Sequence, residues 1–385
     1  MLIEKRKLVD NFMALVTIDS ESGYEQEVSE FVIEQLKELG LKVKTDDAHT
    51  FFDGEAGNII ATLPGNKKKN KDKFFSETLI LNAHLDTVSP GKNIRPKLKD
   101  GVIKSSGSTI LGADDKAGVA IILHILEVIK KHELPHPPIE VIFTVSEEDS
   151  LLGSRFLDYK MVKGKKAISL DGGKLGSLTI SAPFKAQIDA EIHGKSGHAK
   201  APEKGINAIE VAAWAVNKMK LGKIDNETTA NISTFTSEFP INIIPDNVFL
   251  QIEVRSRSEK KLNSHLQHLN RKLAEACGSF VCKLESGEET KAILSANTSH
   301  DYDGFALEED DPFVKYLIEA TEFLDVDTEV VDGLGGSDAN NFSKEGIKTV
   351  IMGVGMKNAH TLEESLNTYD LNKAARILLK MVTQR

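Results

Sequence analysis

The chain has 385 residues, 40% of them hydrophobic and 28% charged, with a formal net charge of −10. That composition fits a soluble globular protein with room for two domains, and its acidic balance argues against nucleic acid or an anionic membrane as the main partner. No stretch approaches the roughly 18 apolar residues of a membrane span, the N-terminal MLIEKRKLVDNFMALV lacks a signal-type apolar core, and Cys277 and Cys282 are too few for a disulfide framework, so a reducing cytoplasm is the expected compartment.

Two helical patterns open the chain. In the second, Val28, Val32, Leu36 and Leu39 recur at helical spacing and stop at Gly40, a suitable C-cap. Strand-like LKVKTDD (41–47) and NIIATLP (58–64) follow, and the basic run NKKKNKDK (66–73) reads as a solvated loop tip. Next come the apolar strand TLILNAH (78–84) and a long helical pattern, AGVAIILHILEVIKKH (117–132), closed by LPHPP. The strand IEVIFTV (139–145) runs straight into SEEDSLLGS, and AISLDGG (167–173) is a further strand. Strands alternating with helices predict an α/β domain with a mixed, mainly parallel sheet.

After Gly176 the pattern changes. KAQIDAEIHG, the helix NAIEVAAWAVNKM, TANISTF, VFLQIEVRS, the helix EKKLNSHLQHLNRKLAEACG and FVCKLES give a β-α-β-β-α-β order, the ferredoxin-like arrangement. Beyond it the α/β style resumes with FVKYLIEATEFL, TEVVDG, TVIMGVG and LNKAARILLKMV. The expected organisation is a discontinuous domain at 1–180 and 298–385, with an α+β domain at 181–297 inserted between its halves.

The polar residues gather at the ends of the predicted core strands. TLILNAH supplies His84, with Asp86 just beyond; LGADDKAG supplies Asp114 and Asp115; SEE supplies Glu147 and Glu148; AISLD supplies Asp171; and NAHTLEES supplies His360. Open α/β sheets place ligands at the carboxyl ends of their strands. Carboxylates crowded there repel one another, and a pair of divalent cations relieves that repulsion. Two imidazoles with three carboxylates suit zinc, and manganese or cobalt would also be accepted. His124 reads as a core histidine, and His136 and His265 read as surface groups.

HLDTV, GADDKAG, SEE, LDGG, GHA…P…GINA and NAHTLEES, in that order, together resemble the co-catalytic zinc peptidases of the peptidase T, carboxypeptidase G and aminoacylase group. LGADDKAG and DGG are most similar to the peptidase T branch. The resemblance implies two zinc ions per subunit, one held by His84 and Asp171, the other by Glu148 and His360, with Asp114 bridging. It further implies that Asp86 orients His84 and that Glu147 is the general base, working with a bridging hydroxide on the bond of a short peptide. His198, at the histidine position of the family, is expected to stabilise the oxyanion in the site of a partner subunit, the inserted domain serving as lid and dimer contact. Asn242, Arg255 and the backbone of Gly335, Gly336 and Ser337 match substrate-contacting positions, Arg255 as a carboxylate binder.

One departure bears on specificity. Peptidase T carries an arginine directly before its Gly-Gly pair, where this chain has Leu334. A deacylase of N-acyl amino acids using the same machinery, and a catalytically inactive binding protein on the same scaffold, are the alternative expectations.

Overall fold

The computed structural model describes residues 2–66, 77–284 and 286–383. Most of the basic run at 66–73 lies outside the described residues. The chain forms two compact units, Met1–Ala182 with Phe305–Arg385, and Pro183–Gly304.

The first unit is built on a nine-stranded mixed sheet. Its four central strands, in spatial order Ile139–Thr144, Leu79–His84, Lys166–Gly172 and Lys348–Gly353, are parallel neighbours. Lys42–Thr45 and Ile59–Leu63 continue one side in antiparallel fashion, and Ser177–Ala182 with Phe305–Ala306 continue the other. The mainly parallel core expected from the alternation of strands and helices is therefore present.

Two of the four central strands, Leu79–His84 and Ile139–Thr144, are buried at every residue, as strands covered on two faces must be. Leu79, Leu81 and Ala83 join the large apolar core shared with the helices Lys5–Val16, Ala113–Lys131 and Thr368–Thr383. Ile80 turns the other way, into a smaller cluster with Ile60, Ile142, Ala167 and Phe342. This is the period-two geometry of a strand. On the large-core face the helix Ala113–Lys131 lies very close to the sheet: a Cβ on Gly118 would stand 2.8 Å from Leu170 Cβ. Only glycine fits there, and its absent side chain lets the segment carrying Asp114 sit against the strand carrying Asp171.

A separate four-stranded sheet, Met356–Lys357, Ser365–Asn367, Val102–Ser105 and Pro96–Lys99, brackets the turn that holds His360.

The second unit is an antiparallel sheet in the order Gly222–Lys223, Thr228–Thr236, Asn247–Ser256, Phe184–His193, Ile293–Tyr302. The helices Ala208–Lys218 and Glu259–Ser279 share one apolar core with it. Its fourth main strand differs from the expectation. Val281–Lys283, within FVCKLES, only pairs with Glu289–Lys291 in a small hairpin. Ile293–Tyr302 instead lies antiparallel to Phe184–His193 and completes the β-α-β-β-α-β set. Most of its side chains are exposed or half-buried, so an edge strand of this kind shows no apolar alternation for a sequence reading to detect. A boundary after residue 297 would cut this ladder, whose last pair is Tyr302 with Lys185. Among the described residues, no helix is long and apolar enough to cross a membrane.

Candidate active site

The parallel strands deliver their side chains to one place. His84 is the last residue of its strand, Asp171 lies at the end of the next, and Glu147 and Glu148 follow Ile139–Thr144. Asp114 comes from the start of the helix Ala113–Lys131, where its own backbone is not helical (ψ 107°), and His360 comes from the turn after Met356–Lys357.

Asp114 stands between the two imidazoles. Its Oδ1 lies 3.1 Å from His84 Nε2 and its Oδ2 lies 3.2 Å from His360 Nε2. His360 Nε2 is also 2.7 Å from Glu148 Oε1, and Asp171 Oδ1 is 3.9 Å from His84 Nε2. Donor atoms of His84, Asp114 and Glu148 all fall within 4.8 Å of one another. Nitrogen and carboxylate oxygen converging in this way form a donor set that can hold a divalent cation. Asp114, Glu147, Glu148, Asp171 and His360 line a cleft of about 250 Å³, together with Gly335, Gly336 and Ser337.

The electrostatics fit the same reading. Burial raises the Glu147 carboxyl well above its usual range, and the charges of Asp171, Asp338 and Glu148 add to the rise. Burial and the charge of Asp114 likewise raise Asp171 and Glu148. Asp114 goes the other way: burial opposes its charge, yet hydrogen bonds with His360 and His84 hold its pKa down. Burial opposes charge on His84 too, but Asp114 and Asp86 raise it well above its usual value. His360 is pushed up to about 10 by its bonds to Asp114 and Glu148. Without a cation, protons on the imidazoles balance the crowded anions.

Asp86 is completely buried and serves three segments. Its backbone oxygen and Oδ1 lie 3.0 and 3.3 Å from His84 Nδ1, a geometry that keeps a proton on Nδ1 and leaves Nε2 facing Asp114 and Asp171. Its carboxylate also accepts the N–H groups of Glu147 and Glu148, each at 3.0 Å, and the Ser22 hydroxyl at 2.7 Å. The bond and charge of His84, followed by the Ser22 and Glu147 bonds, outweigh burial and hold Asp86 below its normal pKa. Beyond orienting His84, Asp86 therefore fixes the turn that carries both glutamates.

Some support residues escaped the sequence reading. Glu25 is buried and accepts the Ser146 N–H and hydroxyl, at 2.9 and 3.0 Å, just before Glu147. Lys116 is 1% exposed and donates to Ser20 Oγ at 2.6 Å, and Ser20 in turn donates to Leu85 O between His84 and Asp86. Glu364, at the end of NAHTLEES, binds the loop before Asp114. The last two had a signal, since Lys116 belongs to LGADDKAG and Glu364 to NAHTLEES, motifs already singled out; Glu25 lies far from its partner along the chain and had none.

The residues expected to touch substrate fall in different places. Ser337 caps the helix Asp338–Lys344, and its N–H is given to Asn340 Oδ1 at 2.9 Å, so it is not a spare donor for a ligand. Within the second unit, His198 and Asn242 are brought together: His198 pairs with Ile243 in a two-stranded ribbon, and Asn242 O accepts the Ala199 N–H at 2.9 Å. His198 is exposed. Arg255 donates through Nε and Nη2 to Glu253, at 2.8 and 3.1 Å. Its bidentate face is already engaged, and a ligand carboxylate would have to compete with Glu253 for it. His124 is a core histidine, accepting the Glu4 N–H at 3.3 Å. His136 and His265, expected at the surface, are buried and bond the carbonyls of Pro137 and Lys220; burial of the ring against a backbone acceptor is compatible with a neutral imidazole.

Fold, donor set and relatives define the class of the protein as a metallopeptidase, a hydrolase. Within that class the chain belongs to peptidase family M20/M25/M40, whose sequence pattern matches residues 80–384. Protein YqjE of Bacillus subtilis (strain 168) is 35% identical over 385 residues, spanning 100% of this chain and 99% of its own. A peptidase T of Clostridium botulinum (strain 657 / Type Ba4) is 26% identical over 419 residues, with 98% of each chain covered. The crystal structure of aminopeptidase PepT from Bacillus cereus ATCC 10987 matches with a TM-score of 0.88 at 36% identity. A tripeptidase from Staphylococcus aureus subsp. aureus Mu50 matches with 0.91 at 33% identity; each covers 100% of this chain and 99% of its own.

A cation held by His84 and His360 would have to displace their protons, because both pKa values are raised in its absence. Zinc added to metal-free protein in weak buffer near pH 7 should therefore release protons, and apparent affinity should climb from pH 6 to pH 8. An indicator dye reads the release; zinc uptake without it, or affinity that falls with pH, contradicts this account of the cluster.

Proposed function

We propose that the protein is a two-cation exopeptidase that hydrolyses the terminal peptide bond of short peptides, with Glu147 as general base. The observation that carries this reading is Asp114, one oxygen toward each imidazole, beside the buried Glu147 in the same cleft. His84 and Asp171 would hold one cation, Glu148 and His360 the other, and Asp114 both. The donor set favours zinc and accommodates manganese or cobalt.

Bound there, divalent cations supply Lewis-acid polarisation of the scissile carbonyl and a lowered pKa for water. The chain supplies the rest. Glu147 is held by its backbone N–H on Asp86, which aims its carboxylate into the cleft beside Asp171. From there Glu147 takes a proton from the attacking water and returns it to the nitrogen of the leaving amine as the carbon–nitrogen bond breaks. Gly335 and Gly336 also line the cleft, and glycine there lets backbone N–H groups approach a peptide without side-chain obstruction.

The relatives support a peptide substrate, since two at 33% and 36% identity are a tripeptidase and an aminopeptidase. Leu334, 87% exposed in the glycine loop, offers no charge to a peptide carboxylate. A homodimer through the second unit, with His198 and Asn242 serving the partner's cleft, is part of the same reading. The exposed Phe239 and Ile241, just before the Ile243–Ile244 strand of the His198 ribbon, support it. The free, buried Cys277 and Cys282 are consistent with a reducing cytoplasm.

Glu147→Gln should retain both cations and lose roughly 10²–10⁴-fold in kcat; metal analysis with turnover measurement checks it, and near-normal turnover removes Glu147 as the base. A panel of tripeptides, dipeptides and N-acetyl amino acids on zinc-loaded protein should show cleavage of the peptides, whereas turnover of N-acyl substrates alone would make the protein a deacylase. Mixing His198→Ala with Glu147→Gln should restore activity that neither variant has alone, and mixed dimers without activity would refute a shared site.

A further inference from the structure

Glu364 takes no part in the chemistry above, yet it is only 1% exposed and is bonded more heavily than an idle side chain requires. Its Oε2 accepts the N–H groups of Leu111 and Gly112, at 2.6 and 2.8 Å, and its Oε1 accepts that of Asp114 at 3.1 Å. The loop is shaped to make this possible. Gly112 has φ +72°, a left-handed conformation that favours glycine and turns successive N–H groups inward as an anion-binding concavity. Three N–H groups on one carboxylate are charge-assisted bonds, stronger than neutral ones.

The same carboxylate is anchored to the other half of the cluster. Glu364 closes the turn that begins with His360, its N–H donating to Thr361 O at 3.2 Å while the Thr361 hydroxyl donates to Asn358 O at 2.8 Å. The next residues, Ser365–Asn367, pair with Val102–Ser105. One side chain thus ties the segment carrying His360 to the segment carrying Asp114, and the two segments meet again where His360 Nε2 faces Asp114 Oδ2 at 3.2 Å.

We infer that Glu364 is a positioning residue, which fixes the loop 111–114 so that Asp114 presents one oxygen to each imidazole. The inference rests on the two-cation reading and predicts more than a packing role does. Glutamine at 364 keeps one acceptor oxygen but turns an amide N–H₂ toward N–H groups, so the loop loses its grip while the volume stays the same.

The test compares full-length wild type, E364Q and E363Q, the last altering an exposed neighbour, by amide exchange of the metal-free protein, zinc titration and the visible spectrum of the cobalt-loaded protein. In E364Q the amides of 111–114 should exchange about tenfold faster while those of Leu79–His84 keep wild-type rates. Zinc affinity should fall roughly 10–100-fold and the cobalt spectrum should change, with E363Q matching wild type throughout. Should E364Q lose its fold, E364D, which keeps the charge and shortens the reach, supplies the same comparison. Wild-type exchange, affinity and spectrum in E364Q overturn the inference and leave the two-cation reading standing. A wild-type protein that takes up no cation overturns both.

Discussion

Like charge packed into a small buried volume is the constraint on which the structure turns. Asp114, Glu147, Glu148 and Asp171 share one cleft, and burial with mutual repulsion drives three of the four toward their neutral forms. No hydrophobic core gains from such an arrangement. The chain tolerates it because two imidazoles stand among the acids and because a cation has a natural place there. The cluster is therefore a strained feature that the rest of the first unit holds together, as functional sites generally are.

The means of holding it are ordinary. A parallel sheet brings the ends of several strands side by side, so residues distant in sequence become neighbours without long loops. Behind the donor atoms lies a second layer of buried charge. Asp86 locks His84 to the turn of Glu147 and Glu148, Glu25 steadies Ser146, Lys116 reaches Ser20, and Glu364 closes the loop of Asp114. Asp86, Glu25 and Glu364 accept mainly from backbone N–H and hydroxyl groups, and Lys116 donates to a hydroxyl, so the partners in this layer do not titrate near neutral pH. Rigidity here comes from hydrogen bonds to the main chain, and the apolar core enters by fixing where that main chain runs.

Much of this was legible in the sequence for a physical reason: strands buried on two faces are continuous apolar runs, so a histidine or carboxylate ending such a run stands out. His84, Asp171 and the Glu147–Glu148 pair stood out in that way, and they lie together in the structure. The limits follow from the same reasoning. Ile293–Tyr302 lies at the edge of its sheet with most side chains in solvent, so no alternation marked it as a strand. Glu25 was invisible because an isolated charged residue beside a helix-like stretch looks the same whether it faces water or closes a buried network, and Lys116, although inside LGADDKAG, gave no sign of its buried partner Ser20. Arg255 shows the opposite difficulty. Its type and place suggested a carboxylate partner, but the partner in the structure is Glu253, two residues away on the same strand.

The division of Asp114 between two imidazoles has a consequence for how such a chain can change over time. With each oxygen committed to a different ring, neither a longer acid nor an amide can take over both duties, so the position has no substitute. Leu334, by contrast, stands largely in solvent. In the two-cation reading, change is thus steered outward: selectivity can shift at Leu334 while the Asp114 position cannot.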